Sequence, residues 1–257
     1  VGSTGSGKST TMASMIDYRN SHKTGHILTI EDPVEFAFKH KKSIVNQREV
    51  RVDTESYANA LTSAMREAPD LIMIGEIRDQ PTLQNCLLFA QTGHLCMSTL
   101  HANNSYNALN RIINFFPREA RDSLLADLSI ALRAVISQRL VRTVDGKRIP
   151  AVEILLNTKH IQDLIMKGDI SMIKDALEQS LSPGSQSFEQ ALFYHINSGK
   201  VSVEEAMAHS DSPTNLHWLL NNAPKSTGAP ASSGQSPTTT KQPNDITSIK
   251  LNLDALG

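Results

Sequence analysis

The segment Gly2-Ser3-Thr4-Gly5-Ser6-Gly7-Lys8-Ser9 fits the pattern G-x-x-x-x-G-K-[ST] at every fixed position. Glycines at those positions let the backbone curl until successive N–H groups point inward at phosphate oxygens. Lys8 adds a cation for the β- and γ-phosphates, and Ser9 adds a hydroxyl for Mg²⁺. A helical pattern from Ser9 to Tyr18 follows directly, and its positive end would face the phosphates. Such a loop joins a buried central strand to a helix. Only Val1 precedes Gly2, so that strand is expected upstream of this sequence, and the chain as it stands is expected to turn over nucleotide poorly.

Beyond the loop, three short apolar runs suit strands buried on both faces: 26–30, 70–75 and 94–99. Between them, Ser56 to Glu67 and Thr82 to Gln91 have helical length, and Pro81 is a helix-start signal. Strands alternating with helices imply an α/β fold with a parallel sheet. Leu124, Leu125, Leu128, Leu132 and Val135 predict one long helix over 119–137. Residues 139–143 and 149–155 flank Val144-Asp145-Gly146-Lys147 and predict a hairpin with an Asp-Gly turn. Helices are expected near 158–167, 169–180, 186–198, 202–209 and 213–222. The chain thus divides into a core over 1–156, a helical region over 157–222 and a tail over 223–257. The Ser, Thr, Pro and Gly composition of that tail predicts disorder. The alternation Ile249-Lys250-Leu251-Asn252-Leu253 reads as a short docking strand or a frayed end.

Carboxylates end two of the strands. Glu76 closes the run Leu71-Ile72-Met73-Ile74-Gly75, where an acid reaches Mg²⁺ or an attacking water, or else simply pairs with Arg78. Gly75 lacks a Cβ, which would let the backbone approach a nucleotide. Glu31, Asp32 and Glu35 crowd three carboxylates into five residues, so they face water or a cation, and one of them could polarise a water. His94 and His101 bracket the third strand at opposite ends and make poor joint metal ligands. His101, past the carboxyl end, is read as a γ-phosphate sensor or a subunit contact, and His94 as a packing or capping residue nearly as readily as a functional one.

Composition narrows the classes. Of 257 residues, 39% are hydrophobic and 20% charged, which excludes wholesale disorder. No apolar run nears the roughly 20 residues of a membrane-spanning helix. With 25 Lys plus Arg against 26 Asp plus Glu, the net charge of −1 argues against a broadly basic nucleic-acid binder. Cys86 and Cys96 are too few for a four-thiolate zinc site or a disulfide framework and read as reduced thiols.

Taken together, these boxes resemble the ATPases of type II secretion and type IV pilus systems. Four boxes match in order: the Walker A loop at 2–9, the Asp box at 31–35, the Walker B stretch at 65–79 and the His box at 93–101. The stretches 46–50, 114–117 and 151–158 resemble the PilT/PilU retraction branch. His160 to Lys167 depart from the PilT pattern, and with 211–216 they favour the PilU side. Secretion and assembly members usually carry a four-cysteine zinc element, which two cysteines cannot supply. In the family, Gly often follows Arg-Glu-Val, whereas here Arg51 does.

The resemblance implies a RecA-like P-loop core, with a PAS-like domain expected upstream. It also implies a cytoplasmic homo-hexamer at the inner face of the inner membrane that hydrolyses ATP with Mg²⁺ to retract pili. Expected partners are an inner-membrane platform protein and a PilT-like ATPase. Its catalytic set would be Glu35, Glu76 and Glu31. Nucleotide would be held by Gly2 to Ser9, Thr10, Arg78 and His101, and Mg²⁺ by Ser9 and Glu76 through ATP. An accessory ring subunit with little turnover and a secretion or assembly ATPase stay open as alternatives. A small-molecule P-loop kinase would be expected to carry a lid and an acceptor site, and a DNA translocase is disfavoured by the neutral charge.

Overall fold

The computed structural model describes residues 1–180 and 182–222. The expected tail beyond Asn222, with its alternating stretch at 249–253, lies outside the described residues.

Helix α1 (Lys8–His22) leads into strand β1 (Gly25–Glu31). Then come β2 (Ser43–Glu49), α2 (Tyr57–Ala64), β3 (Leu71–Glu76), α3 (Gln80–Gln91) and β4 (Leu95–Thr99). The four strands form one parallel sheet in the order β2-β1-β3-β4. Side chains alternate across it, as the period of an extended chain requires. Leu28, Ile30, Ile72 and Ile74 enter the main apolar cluster with Leu61 of α2 and Phe89 of α3. Ile27, Leu71 and Met73 face the opposite side, where Ile16 of α1 and Val45 of β2 close a second cluster. Apolar faces on both sides explain why β1 and β3 read as continuous hydrophobic runs.

Strand β2 had no counterpart among the expected elements. Its stretch Asn46-Gln47-Arg48-Glu49 is polar, which an edge strand tolerates and a central strand does not. Parallel strands need a long return connection, usually a helix. Here residues 32–42 return without one, pinned by the buried Asn20 of α1. Its Nδ2 donates to Lys39 O at 2.7 Å, and its Oδ1 accepts from Lys41 N at 3.1 Å and Ser43 N at 3.3 Å.

The expected helix over 119–137 is shorter. After α4 (Ser105–Asn114), α5 covers Arg121–Ala131, and Val135 already belongs to β5 (Ala134–Arg142). The stop comes from a distant residue. Asn157 Nδ2 donates to Ser129 O at 2.9 Å and Leu132 O at 2.8 Å, satisfying carbonyls that the helix end leaves free. Strand β6 (Arg148–Leu156) then pairs antiparallel with β5, with Val135 opposite Leu155, in the predicted hairpin. Val1 lies against β5: its amino group donates to Ile136 O at 2.5 Å, and Gln138 N donates to Val1 O at 3.0 Å.

The remaining helices are α6 (Lys159–Lys167), α7 (Ile173–Glu178), α8 (Phe188–Asn197), α9 (Val203–His209) and α10 (Pro213–Asn222). The segment expected as one helix over 169–180 is instead a 3-10 turn at 170–172 followed by α7. Ile161, Ile165, Ile173 and Leu177 from α6 and α7 insert into the main cluster beside the sheet. Phe188, Leu192, Ala206 and Leu216 from the last three helices pack on Val141 and Ala151 of the hairpin. Among the described residues no helix is long and apolar enough to cross a membrane.

Candidate active site

The loop over residues 2–7 reaches α1 through Gly7, which sits at φ 90. That left-handed φ favours glycine, and a Cβ there would lie 2.8 Å from Gln138 Nε2 and push on that side chain. Gln138, on β5, fastens the loop. Its Nε2 donates to Ser6 O at 2.6 Å, and its Oε1 accepts from Thr11 Oγ1 at 2.7 Å. Lys8 Nζ donates to Gly2 O and Ser3 O, both at 3.0 Å, folding its ammonium over the loop. Partial burial lowers the Lys8 pKa, while the charges of Glu76 and Glu35 oppose that shift. Both carboxylates therefore act electrostatically on the loop's cation.

A cavity of about 500 Å³ opens beside the loop, at the carboxyl ends of the parallel strands. Thr4, Gly5, Gly7, Lys8, Ser9 and Thr10 line one wall, and Glu31 and Glu35 another. Gly75, Glu76, Arg78 and His101 line a third. Ligands collect at such strand ends because loops and helix N-termini converge there. Gly2, Ser3 and Ser6 do not reach the lining. The first two present carbonyls to Lys8, and the Ser6 hydroxyl is buried without a hydrogen-bond partner.

The two acidic groups differ in setting. Glu76 is held on both oxygens: Arg78 Nε donates to Oε2 at 2.8 Å, and His101 Nε2 lies 3.4 Å from Oε1. That hydrogen bond to Glu76 raises the Arg78 pKa further, so the guanidinium stays charged. Glu31 is buried, and its Oε1 accepts from Thr29 Oγ1 at 2.8 Å and Gln47 Nε2 at 3.1 Å. Glu35 is exposed at the cavity wall.

A Cβ on Gly75 would lie 3.1 Å from the Tyr57 hydroxyl and 3.4 Å from Ile30 O, so the bare Cα lets Tyr57 close on this strand end at the cavity wall. Tyr57, which lines the cavity, has its pKa pushed up to about 12, by burial first and then by the Asp32 charge. Its hydroxyl therefore remains a donor across the physiological range. His94 packs edge-on against Phe89, at 5.5 Å between ring centres, and its Nδ1 lies 3.0 Å from Thr92 Oγ1. Tyr57 and Gln138 escaped the sequence reading because no local pattern marks a residue delivered by tertiary packing.

Residues 1–149 match the model of the Type II/IV secretion system protein family. The chain belongs to that family. Among curated relatives, the type IV pilus ATPase PilU of Pseudomonas aeruginosa is 48% identical over 221 residues. That alignment takes in 86% of this chain and 58% of PilU. The type IV pilus retractation ATPase PilT of the same organism is 42% identical over 216 residues, 84% of this chain and 63% of PilT. The crystal structure of the pilus retraction motor PilT with bound ADP superposes with a TM-score of 0.79 and 44% identity. It covers 85% of this chain and 62% of that one. The family's RecA-like α/β arrangement is thus the arrangement of this sheet and its helices. The chain spans less than two thirds of the length of these relatives.

Proposed function

We propose that the protein is an ATP-hydrolysing ring motor that retracts type IV pili, on the PilU side of the PilT/PilU branch. The observation that carries the reading is that Lys8 and Ser9 share one cavity with Glu35, Glu76, Arg78 and His101. In this reading residues 1–156 are the ATPase core and 157–222 an appended helical region. The similarity to PilU and to ADP-bound PilT supports the choice of reaction and of machine.

Lys8 would exchange its two carbonyl partners for the β- and γ-phosphates, and the backbone N–H groups of residues 4–9 would cradle them. The Ser9 hydroxyl and the Glu76 carboxylate are hard oxygen donors on one cavity, a set that suits Mg²⁺. Bound there, the ion would neutralise charge on the phosphates. Glu35, exposed beside Lys8, takes the proton of the attacking water. Glu31, buried and doubly hydrogen-bonded, holds the start of the acidic loop in place. Arg78 and His101 fix the Glu76 carboxylate, and the Arg78 guanidinium would present positive charge toward the γ-phosphate. A homo-hexamer at the cytoplasmic face of the inner membrane, a platform protein and a PilT-like partner ATPase complete the reading.

The test is ATP turnover by the full-length protein together with twitching in a strain lacking it. Magnesium-dependent turnover and loss of twitching are expected. Nucleotide binding without turnover would replace the motor by an accessory ring subunit.

A further inference from the structure

Asp32 lines the cavity next to Glu31, and it is held from outside the cavity by Arg51. Arg51 Nη2 donates to Asp32 Oδ2 at 2.9 Å and Oδ1 at 3.2 Å. Arg78 Nη1 lies 3.9 Å from the same Oδ2, while Arg78 Nε donates to Glu76 at 2.8 Å. Asp32 and Glu76 thus both pull on one guanidinium, through different nitrogens and with Glu76 the nearer. With Asp32 neutralised by Arg51, Arg78 stays on Glu76.

The backbone makes Arg51 conspicuous. It sits at φ 73, in the left-handed region that favours glycine. The turn is fixed by Arg51 N donating to Thr54 O at 2.6 Å and by Val52 N and Asp53 N donating to Glu49 O at 3.3 and 2.9 Å. A glycine would adopt this turn without strain. The Arg51 side chain is 74% exposed, against 19% for Asp32. An ion pair that open to water adds little stability, less than the left-handed backbone removes. Stability therefore does not account for an arginine here, whereas its reach to a cavity carboxylate does.

We propose that Arg51 is a positioning residue of the nucleotide site, which neutralises Asp32 and so keeps Arg78 on Glu76. The proposal rests on the ATP-hydrolysis reading above. Arg51 does not line the cavity, so its removal acts on the geometry of Glu76 and not on nucleotide binding.

The experiment compares Arg51→Gly, Arg51→Ala and Arg51→Lys in the full-length protein, by steady-state ATP turnover and thermal unfolding. Arg51→Gly relaxes the turn, so its Tm is expected at or above the wild-type value, which separates any loss of activity from unfolding. Its kcat is expected to fall between about 10- and 100-fold, the scale of a small misplacement, with KM for ATP held within about twofold. Arg51→Ala should lose the same kcat with a lower Tm than the glycine variant, and Arg51→Lys should recover most of the kcat. Wild-type kcat in Arg51→Gly overturns the proposal while leaving the ATPase reading intact. A raised KM at unchanged kcat also overturns it, by making Arg51 a direct nucleotide contact. Wild-type protein without ATP turnover would remove the ATPase reading, and this proposal with it.

Discussion

Gln138 Nε2 donates to the Ser6 carbonyl at 2.6 Å, joining residues 132 positions apart in the chain. Its other amide atom accepts from Thr11 Oγ1, so one side chain of the hairpin clamps both the phosphate loop and the first turn of α1. Gln138→Ala would strand a buried carbonyl, a loss of about 1–3 kcal/mol. The strain falls on the loop, so the expected outcome is nucleotide affinity weakened by about tenfold or more with the helical content retained. Titration with a fluorescent ADP analogue beside far-UV circular dichroism checks this. Unchanged affinity would mean that the loop holds its shape without the hairpin.

Lys8→Ala removes the ammonium that bridges Gly2 O and Ser3 O and that would meet the β- and γ-phosphates. The expected result is loss of ATP turnover in the full-length protein, with binding weakened by at least about a hundredfold. Near-normal hydrolysis by this variant would refute the assignment of residues 2–9 as a phosphate loop.

What was legible in the sequence follows from burial. Strands β1 and β3 announced themselves because both faces are covered, which forces a continuous apolar run. Strand β2 did not, because an edge position tolerates Asn46 to Glu49. The helix over 121–131 was overextended because the leucine period continues into Val135, and the residue that ends it, Asn157, lies far along the chain. The site divides the same way. The loop and its facing acids are local motifs, so their placement on one cavity could be anticipated. Gln138, Tyr57 and the Arg51–Asp32 pair are brought in by sheet and turn geometry that no short pattern encodes.

Glu76 and Glu35 should separate by what each loses as an amide. Glu76→Gln keeps its shape but weakens the charge-assisted hydrogen bond to Arg78 and the pairing with His101. Binding should persist while kcat falls by about a hundredfold or more. Glu35→Gln should also keep binding and slow turnover, since it removes the exposed base. Glu31→Gln retains an acceptor for Thr29 and Gln47, so a milder effect is expected. Steady-state kinetics of the three variants decides the order: normal turnover in Glu35→Gln with a dead Glu31→Gln would exchange the two roles.

Glu153, on β6, makes a test that is independent of nucleotide. It is buried, and its Oε1 accepts from Ser105 N at 2.7 Å and Ser137 Oγ at 2.8 Å. Burial pushes its carboxyl above the ordinary value of 4.5, with those hydrogen bonds opposing the shift. The folded protein thus holds this proton more tightly than the unfolded chain does. The stabilisation it brings is present below pH 4.5 and is lost as the pH rises through the raised folded value. Glu153→Gln keeps an oxygen for both donors and cannot ionise. The Tm difference, variant minus wild type, should therefore grow as the pH rises from about 4 to about 8. In a chain of this size each kcal/mol corresponds to about 2–4 °C, which calorimetry resolves. Parallel Tm curves across that range would show that Glu153 titrates alike in the folded and unfolded chain, and the buried carboxylate would then carry no pH dependence of stability.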